Sequence, residues 1–400
     1  MPSSYAKNAI VLGLLSAVGP FAIDMYLPAL PTIATDLHAS TSATQMTLMA
    51  FFVAMGLCQV VYGPASDMFG RKAPLYFGLG LFTIGSIGCG LAPTIEWLIL
   101  GRFIQGLGAA SVMVIPRAII RDLHTGIEAT RLMSLVMLVF SVSPMLAPLT
   151  GSGLIAAFGW RAVFAAVTIA SLAGFFLVAL LLPETRPPEK RVEVSVGNVL
   201  SGFAKLLGNA RFLGLTFIGG LGMSSFFAFL ASSSFIYIDH FGLTPIQFSF
   251  AFAVNAFGFI GASQFAARLG GKFGMARVVL TAVTSFATFS LILLAVTLAG
   301  VDRLPVLMIL LFTAFASLGL VIPSTMVLAL EEHGRIAGLA SALGGTLQMV
   351  TGGLMIVIVS VFFNGTSLPM VAAIAACSVG AVLLALATLR RGAMVAQPAE

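Results

Sequence analysis

The sequence predicts an all-α membrane protein of twelve transmembrane helices, arranged as two pseudosymmetric six-helix bundles. Hydrophobic residues make up 59% of its 400 residues and charged residues 8%, whereas soluble domains carry about 25% charged residues. The apolar runs are around 20 residues long, and a helix of that length crosses the roughly 30 Å hydrocarbon core of a bilayer. Barrel strands would be shorter and would alternate apolar with polar residues.

Twelve such runs follow one another along the chain. Their approximate bounds are 8–30, 44–65, 74–93, 97–117, 132–155, 160–182, 212–236, 246–266, 277–299, 305–329, 337–363 and 369–389. The longest polar connection separates six runs from six. We therefore predict an N-terminal bundle at 1–183, a cytoplasmic linker at 184–211 and a C-terminal bundle at 212–400. Apolar residues from Val196 to Leu207 recur at helical spacing, which favours an amphipathic helix on the inner leaflet; a plain solvated linker is the alternative.

The distribution of Lys and Arg sets the orientation of the spans. With a cytoplasmic N-terminus and twelve crossings, 17 of the 20 basic residues fall on the cytoplasmic side, Arg161 and Arg303 fall outside, and Arg102 lies within a span. This positive-inside pattern predicts that both termini are cytoplasmic. It also accounts for the net charge of +6 without a nucleic-acid partner. Only Lys7 precedes the first run and no small-residue cleavage site follows it, so we predict a retained helix, not a signal peptide.

Asp24 is the only carboxylate set deep inside an apolar run, in the stretch Phe21-Ala22-Ile23-Asp24-Met25-Tyr26-Leu27-Pro28-Ala29-Leu30-Pro31. At 1.5 Å per residue it lies about 4 Å past the centre of the first span. A charge at that depth costs roughly 2.5–3.5 kcal/mol, and ionisable groups there usually mark ion or substrate paths. We interpret Asp24 as a proton-binding group. The alternative is an acid buried only to pair with a basic residue and hold helices together.

Arg102 lies in span 4, in Gly101-Arg102-Phe103-Ile104-Gln105-Gly106, and in the same half of the membrane as Asp24. A guanidinium at that depth is always charged and needs a partner. Because Asp24 is the only deep acid available, we predict that the two side chains pair. The alternative is that the long Arg102 side chain reaches the outer surface.

The most specific local sequence is Gly63-Pro64-Ala65-Ser66-Asp67-Met68-Phe69-Gly70-Arg71-Lys72, which joins spans 2 and 3. Gly63 and Gly70 permit a tight turn, while Asp67 and Arg71 carry opposite charges four residues apart. The halves show faint repetition here, because Phe69-Gly70 after span 2 is matched by Phe273-Gly274 after span 8. The alternative is an ordinary cytoplasmic turn in which Asp67 caps a helix.

Span 5 ends in Ser143-Pro144-Met145-Leu146-Ala147-Pro148-Leu149-Thr150-Gly151-Ser152-Gly153. Pro144 and Pro148 are expected to bend the helix, and the small residues Ala147 and Gly151 permit close approach of a neighbouring helix. Generic small-residue packing would leave much the same pattern.

These three stretches resemble motifs of the major facilitator superfamily: its signature loop, its span-4 arginine motif and the span-5 motif of its drug/proton antiporters. Further stretches extend the resemblance to the Bcr/CflA drug-resistance branch over nearly the whole chain; they are 24–31, 117–122 and 159–164. The chain departs from the usual patterns at Met68, where a basic residue is common, at Ala147, which replaces Gly, and at Ser152, which interrupts a glycine pair.

The resemblance implies proton-driven efflux of amphiphilic drugs across the bacterial inner membrane by a monomer. The expected substrates are chloramphenicol-type or bicyclomycin-type compounds, or lipophilic cations. Arg102 would share proton coupling with Asp24, which would load a proton outside and release it inside as drug binds. Gly63, Asp67, Gly70 and Arg71 would form a conformational latch of the outward-open state, with Asp67 at the start of span 11 and Arg71 at a neighbouring carboxylate.

Six residues are predicted to line a substrate cavity at the midplane; they are Tyr26, Gln105, Met113, Ser232, Asn255 and Gln348. In the second half the polar candidates lie among many Phe and Met residues, and such walls suit large apolar ligands. For each polar residue, a hydrogen bond between helices is the alternative interpretation.

Neither a cofactor nor a metal is predicted. No Gly-x-x-x-x-Gly-Lys-Ser/Thr sequence occurs, so ATP is not the expected energy source. The four histidines have no partner at metal spacing, and the three cysteines lie singly in spans. No catalytic constellation indicates an enzyme. Two rival functions stay open: a proton-coupled symporter that takes up a small metabolite, and a non-transporting membrane sensor or scaffold.

Overall fold

The computed structural model describes residues 2–124, 126–191 and 196–395, and within those ranges it contains helices and no strand. The α-helices in chain order are α1 Pro2–Asp24, α2 Leu30–Asp36, α3 Thr41–Phe69, α4 Lys72–Gly90, α5 Ile95–Leu123, α6 Gly126–Phe158, α7 Arg161–Leu181, α8 Val196–Leu207, α9 Ala210–Ser234, α10 Pro245–Ser263, α11 Ala266–Phe273, α12 Met275–Leu298, α13 Leu304–Glu331, α14 Ala337–Phe362 and α15 Leu368–Val395. In the described part, 12 helical stretches are long and apolar enough to cross a membrane. The predicted all-α fold with twelve spans is confirmed.

Local sequence signals account for several helix ends. The side chains of Ser40 and Asn209 accept hydrogen bonds from backbone N–H groups three residues on, which caps the starts of α3 and α9. Gly70 and Gly274 end α3 and α11 with φ of +88° and +83°, a conformation that glycine adopts without steric cost. The matched Phe-Gly pairs in the two halves are therefore matched helix ends.

Two spans other than the first are not single uninterrupted α-helices. α9 continues as a π-helical segment over Phe235–His240, and π-helical turns occur often at functional sites. α10 gives way at Ser263 to the short α11. The sequence predicted single helices in both places, because hydropathy does not distinguish one helix type from another.

The predicted helix in the linker is present as α8. Its Gly202 lies against Leu339 of α14, where an added Cβ would be 2.8 Å from a Leu339 methyl carbon. Residues 192–195 of the predicted linker lie outside the described ranges. The location of α8 on the inner leaflet stays a prediction, as does the division of the chain at 184–211.

The described residues divide into two compact units. The first takes in the described part of Met1–Ser195 together with Thr244–Phe250, and the second takes in Val196–Leu243 and the described part of Ala251–Glu400. The start of α10, together with Thr244 before it, thus belongs to the same unit as α1–α7.

In the first unit, α5 packs closely against α3 and α4 through glycine. A Cβ on Gly106 would overlap the carbonyl of Phe51 in α3, and a Cβ on Gly85 of α4 would overlap the backbone of Gln105. Small residues allow such close approach between membrane helices. These contacts fix the stretch of α5 that carries Arg102 between two neighbouring helices.

In the second unit, α9 packs against α13 and α14 in the same manner. A Cβ on Gly352 of α14 would overlap the Phe227 ring of α9, and Gly222 lies against Leu318 of α13. Large apolar side chains on the spanning helices of both units are exposed, Phe77 by 65% and Ile309 by 66%. Exposed apolar side chains on helices of this length form the surface that faces lipid.

Candidate functional site

The first membrane span is broken at Asp24. α1 ends there, and a turn and a 3₁₀ segment over Leu27–Ala29 lead into α2. The break follows from Pro28 and Pro31, which lack the N–H groups that would bond the carbonyls four residues earlier. Irregular backbone at membrane depth is tolerated where protein covers it, and the whole 3₁₀ segment is buried. The predicted first span is therefore present, but it is not a single α-helix, and Asp24 lies at the end of α1.

The Asp24 side chain is buried, with 6% of the residue's surface exposed. Among the described residues it has no hydrogen-bond or ion-pair partner. Beside it, α6 packs so closely that a Cβ on Gly151 would overlap the Met25 carbonyl. A buried carboxyl group without partners is far less costly neutral than ionised. The site can therefore hold a proton, and an ionised Asp24 would need a cation.

Arg102 of α5 is fully buried and does not pair with Asp24. Its Nη1 donates to the Ala22 carbonyl at 3.2 Å and to Gln105 Oε1 at 2.6 Å. Its guanidinium carbon lies 4.6 Å from the centre of the Tyr26 ring and 4.3 Å from that of Phe51. The Ala22 carbonyl is free to accept because the last carbonyls of a helix have no partner within it.

Both sequence-based expectations for Arg102 are thus wrong in this structure. The predicted ion pair with Asp24 is absent among the described side chains, and the alternative, a side chain that reaches the outer surface, does not fit zero exposure. Two aromatic faces, a carbonyl and an amide oxygen hold the cation instead. The Nε and Nη2 atoms of Arg102 have no hydrogen-bond partner in the described part of the chain. The guanidinium therefore has two nitrogens, with three N–H groups between them, that are not used.

A hydrogen-bonded shell surrounds the cation. Gln105 Nε2 donates to Ser86 Oγ of α4 at 2.8 Å, and that hydroxyl donates to the Phe82 carbonyl at 2.7 Å. The Tyr26 hydroxyl lies 2.8 Å from Thr47 Oγ1 of α3. Gln105 was predicted to line a cavity, but it is fully buried and bonded at both ends of its amide. Its place in the structure is that of a support for Arg102.

The loop after α3 holds a compact cluster of charges. Arg71 donates from Nε to Asp122 at 2.7 Å and from Nη1 to Asp67 at 2.8 Å. Burial acts to lower the pKa of Arg71, but the hydrogen bonds and charge of Asp122 and Asp67 outweigh it and raise that pKa above its ordinary value. Gly63, predicted to lie in a turn, lies inside α3 instead. The Arg71 guanidinium is thus held in its charged form.

Glu184 joins this cluster and was missed by the sequence analysis. Its carboxylate accepts hydrogen bonds from the backbone N–H groups of Arg71 at 2.9 Å and Lys72 at 3.1 Å, so it occupies the start of α4, a favourable place for a negative charge. In the sequence Glu184 is recognisable only as an acid directly after Pro183. It is 113 residues from Arg71, so nothing local indicates the contact. The segment after α7 is therefore tied to the loop after α3.

We expect Gly70→Ala to disturb this cluster. The left-handed φ of Gly70 costs about 1–3 kcal/mol for other residues, and an Ala Cβ would lie 2.8 Å from Glu184 Oε2. Gly274→Ala is a matched control, because its φ is similar but nothing lies within 4 Å of an added Cβ. Thermal unfolding should show a loss of stability in both variants and a larger loss in Gly70→Ala. Equal losses would mean that the Glu184 contact contributes nothing.

The span-5 motif lies on α6, which continues as a helix through both of its prolines, Pro144 and Pro148. Ala147 is fully buried, and Gly151 is the residue that contacts the Met25 carbonyl. Ser152, the departure from the usual pattern, has a specific partner: its hydroxyl lies 2.7 Å from that of Ser249 in the first turns of α10. The Ser249 hydroxyl also donates to the Pro148 carbonyl at 2.9 Å.

In the second unit, two of the predicted cavity residues are buried among aromatic rings. Asn255 Nδ2 lies 3.4 Å from the hydroxyl of Tyr237 in the π-helical segment, and the rings of Phe229 and Phe252 stack at 5.7 Å. Within the described residues, Ser232 Oγ and Asn255 Oδ1 have no hydrogen-bond partner. Gln348 is half-buried beside Gly219. In the first unit, Met113 is half-buried against Gly19 of α1.

Within the described residues, twelve helices of membrane-spanning length, a buried acid at a helix break and a buried cation on a neighbouring helix are features typical of membrane transporters. The family then follows from comparison with known sequences. Residues 12–356 match the Major Facilitator Superfamily profile, and the chain belongs to that family. It is a transporter and not an enzyme.

Relatives and solved structures agree with this assignment. The chain is 36% identical over 364 residues to the uncharacterized MFS-type transporter YdgK of Bacillus subtilis, covering 90% of each chain. It is 30% identical over 375 residues to the bicyclomycin resistance protein homolog of Haemophilus influenzae, covering 94% of each. A crystal structure of a D-xylose-proton symporter matches 95% of this chain and 96% of its own, with a TM-score of 0.73 and 16% identity. At that identity the structural likeness shows the fold alone.

Proposed function

We propose that this protein exports amphiphilic drugs in exchange for protons across the bacterial inner membrane, as a monomer with both termini in the cytoplasm. The observation that carries the proposal is Asp24, a buried carboxyl group that has no partner among the described residues and lies at a break in the first span. Relatives named for resistance to bicyclomycin, to chloramphenicol and to multiple drugs support the class of substrate.

The proton-binding step uses Asp24 and Arg102. In the structure the guanidinium lies apart from the carboxyl group, as expected when Asp24 carries a proton. When Asp24 loses that proton, Nε and Nη2 of Arg102, which have no hydrogen-bond partner among the described residues, are available to bind the carboxylate. A charge-assisted hydrogen bond to a carboxylate is stronger than one to a neutral oxygen. Deprotonation should therefore move the two side chains together, and protonation should separate them.

The drug and the proton compete in this scheme. An ionised Asp24 attracts a lipophilic cation, and an uncharged amphiphile can bind the aromatic and thioether side chains nearby. Tyr26 and Met113 in the first unit, and Ser232, Asn255 and Gln348 in the second, are the proposed contacts. Drug binding from the cytoplasm would then favour release of the proton to that side.

The proposed conformational latch comprises Gly63, Asp67, Gly70 and Arg71. Its support is the cluster in which Arg71 joins Asp67 to Asp122 of α5, with Glu184 at the start of α4. A charge cluster that connects three parts of the chain can hold one arrangement of helices and release it when any member changes partner. The latch is proposed to set the rate of the conformational change, not the binding of the proton.

The experiment that tests the function measures proton movement in energised inside-out vesicles that contain the protein. Cationic, neutral and anionic amphiphiles are added in turn to the outer medium, which corresponds to the cytoplasm, while a dye reports the acidity of the lumen. Antiport should give compound-dependent proton release from the lumen. Vesicles without the protein give the background leak.

Loading the compounds into the lumen distinguishes antiport from the rival function, proton-coupled uptake of a metabolite. A symporter that takes up a metabolite would release protons together with a compound supplied in the lumen and would not respond to the same compound added outside. That pattern would reject antiport. A folded protein that responds to no compound from either side would also count against it.

A further inference from the structure

Ser86 and Gln105 form a support for Arg102 that no part of the proposed transport cycle requires. Gln105 Oε1 accepts from Arg102 Nη1 at 2.6 Å, and Gln105 Nε2 donates to Ser86 Oγ at 2.8 Å. The Ser86 hydroxyl uses its proton on the Phe82 carbonyl, at 2.7 Å, so it can only accept from the amide. All three side chains are fully buried.

This chain of hydrogen bonds fixes the orientation of the Gln105 amide. If the amide were turned over, its NH₂ group would face the guanidinium, donor against donor, and its oxygen would face a hydroxyl whose proton is already used. The close packing of α4 against α5 at Gly85 brings Ser86 within reach of Gln105. Arg102 and Ser86 thus favour the same orientation of the amide, and Ser86 anchors it on the side away from the guanidinium.

We propose that Ser86, acting through Gln105, is a positioning residue that holds the Arg102 guanidinium away from Asp24 and so sets the pH at which Asp24 exchanges its proton. The amide oxygen holds Nη1, so the whole guanidinium must move off the amide if its spare nitrogens, Nε and Nη2, are to reach an ionised Asp24. The more firmly Ser86 holds the Gln105 amide, the less readily Arg102 leaves that amide for the Asp24 carboxylate. The proposal deepens the proposed function and rests on it for the consequence in transport.

Few other groups near this pair can titrate. Among the described residues, the titratable side chains beside Arg102 are those of Tyr26, after α1, and Cys89 of α4; a phenol and a thiol are both neutral at ordinary pH. Other contacts of this region come from groups that do not titrate: Thr47 of α3 and Phe164 of α7 contact Tyr26, Phe51 of α3 contacts Arg102, and Gly151 of α6 lies against the Met25 backbone. A change in proton exchange caused by Ser86 therefore reports on Asp24 and Arg102.

The test is an infrared titration of the full-length protein, in which the C=O band of the protonated Asp24 carboxyl group is identified by its absence in Asp24→Asn. Ser86→Ala removes the acceptor for the amide. Ser86→Ala should lower the midpoint of the Asp24 titration by about half to one pH unit, because that shift corresponds to the free energy of one hydrogen bond. Ser86→Thr keeps the hydroxyl and should restore the wild-type midpoint. A midpoint in Ser86→Ala equal to that of the wild type would overturn the proposal.

Ser111→Ala is the matched control. Ser111 is also fully buried where α5 meets α4, but its hydroxyl donates to Gly108 of its own helix, at 2.8 Å. Its loss should leave the midpoint unchanged, and an equal shift in Ser111→Ala would reduce the effect of Ser86 to general packing.

Gln105→Glu provides an independent variant. Its carboxylate would hold Arg102 permanently, so the Asp24 band should persist to higher pH than in the wild type. A fall in that midpoint would contradict the proposal. Compound-driven proton exchange is measured on the same proteins. A shifted infrared midpoint without exchange in any of them would leave the role of Ser86 intact and reject the proposed antiport.

Discussion

In Asp24→Asn, compound-driven proton release should fall by at least about 100-fold, the scale of a lost proton-transfer group, while the exchange of labelled for unlabelled compound continues. Asparagine matches the neutral carboxyl group in size and hydrogen bonding but cannot bind or release a proton. The buried position of Asp24 requires no charge for folding, since it pairs with nothing in the described structure. The variant should therefore fold and bind compounds.

Asp36→Asn is the matched control for this experiment. Asp36 lies at the other end of the same span, where it accepts hydrogen bonds from Trp160 Nε1 at 2.9 Å and Arg161 Nη1 at 2.8 Å. It is about half exposed, and pairs of exposed charges contribute little to stability. Coupled exchange should persist in Asp36→Asn. Proton release that survives in Asp24→Asn but is lost in Asp36→Asn would transfer the coupling role to Asp36.

The sequence predicted those features that depend on neighbouring residues along the chain. Twelve spans follow from the length and hydropathy of local segments, and the depth of Asp24 follows from its place within one of them. Gly70 and Gly274 were recognisable as helix ends because a glycine after a run of helical residues is a local signal. The α8 helix was likewise predictable from the spacing of apolar residues.

The environment of Arg102 was not predictable in the same way. Its assignment to Asp24 was made by eliminating other acids, but a guanidinium is also stabilised by aromatic faces and carbonyl oxygens. The Ala22 carbonyl is available only because α1 ends nearby, and the rings of Tyr26 and Phe51 come from two other elements. None of these partners follows from spacing along the sequence.

The remaining differences have similar causes. Glu184 reaches the start of α4 from more than a hundred residues away, a contact that only the packed structure brings about. Gly63 lies within α3 because the helix-forming residues on either side outweigh the weak preference of glycine against a helix. The π-helical register after α9 has no hydropathy signature, since hydropathy depends on residue type and not on the kind of helix.

Arg102→Met should lose compound-driven proton exchange yet fold at least as well as the wild type. Replacing a buried charge with an apolar side chain of similar volume is often neutral or stabilising by about 1–4 kcal/mol. Here two guanidinium nitrogens already lack hydrogen-bond partners among the described residues, so the substitution relieves a cost that is present in the native protein. The same substitution also removes the donor to Gln105 Oε1, which partly offsets that gain in stability. The midpoint of thermal unfolding should be unchanged or higher.

Arg71→Met supplies the contrast that separates function from structure. Arg71 is buried to a similar degree but is paired with Asp122 and Asp67, and removing one partner of such a cluster costs on the order of 3 kcal/mol. Its unfolding midpoint should fall by several degrees. If Arg102→Met were destabilised as strongly as Arg71→Met, Arg102 would be a structural residue of the α1–α5 contact. A stable Arg102→Met protein that binds compounds but moves no protons would instead mean that the chain keeps a poorly compensated charge in its interior because proton coupling requires it.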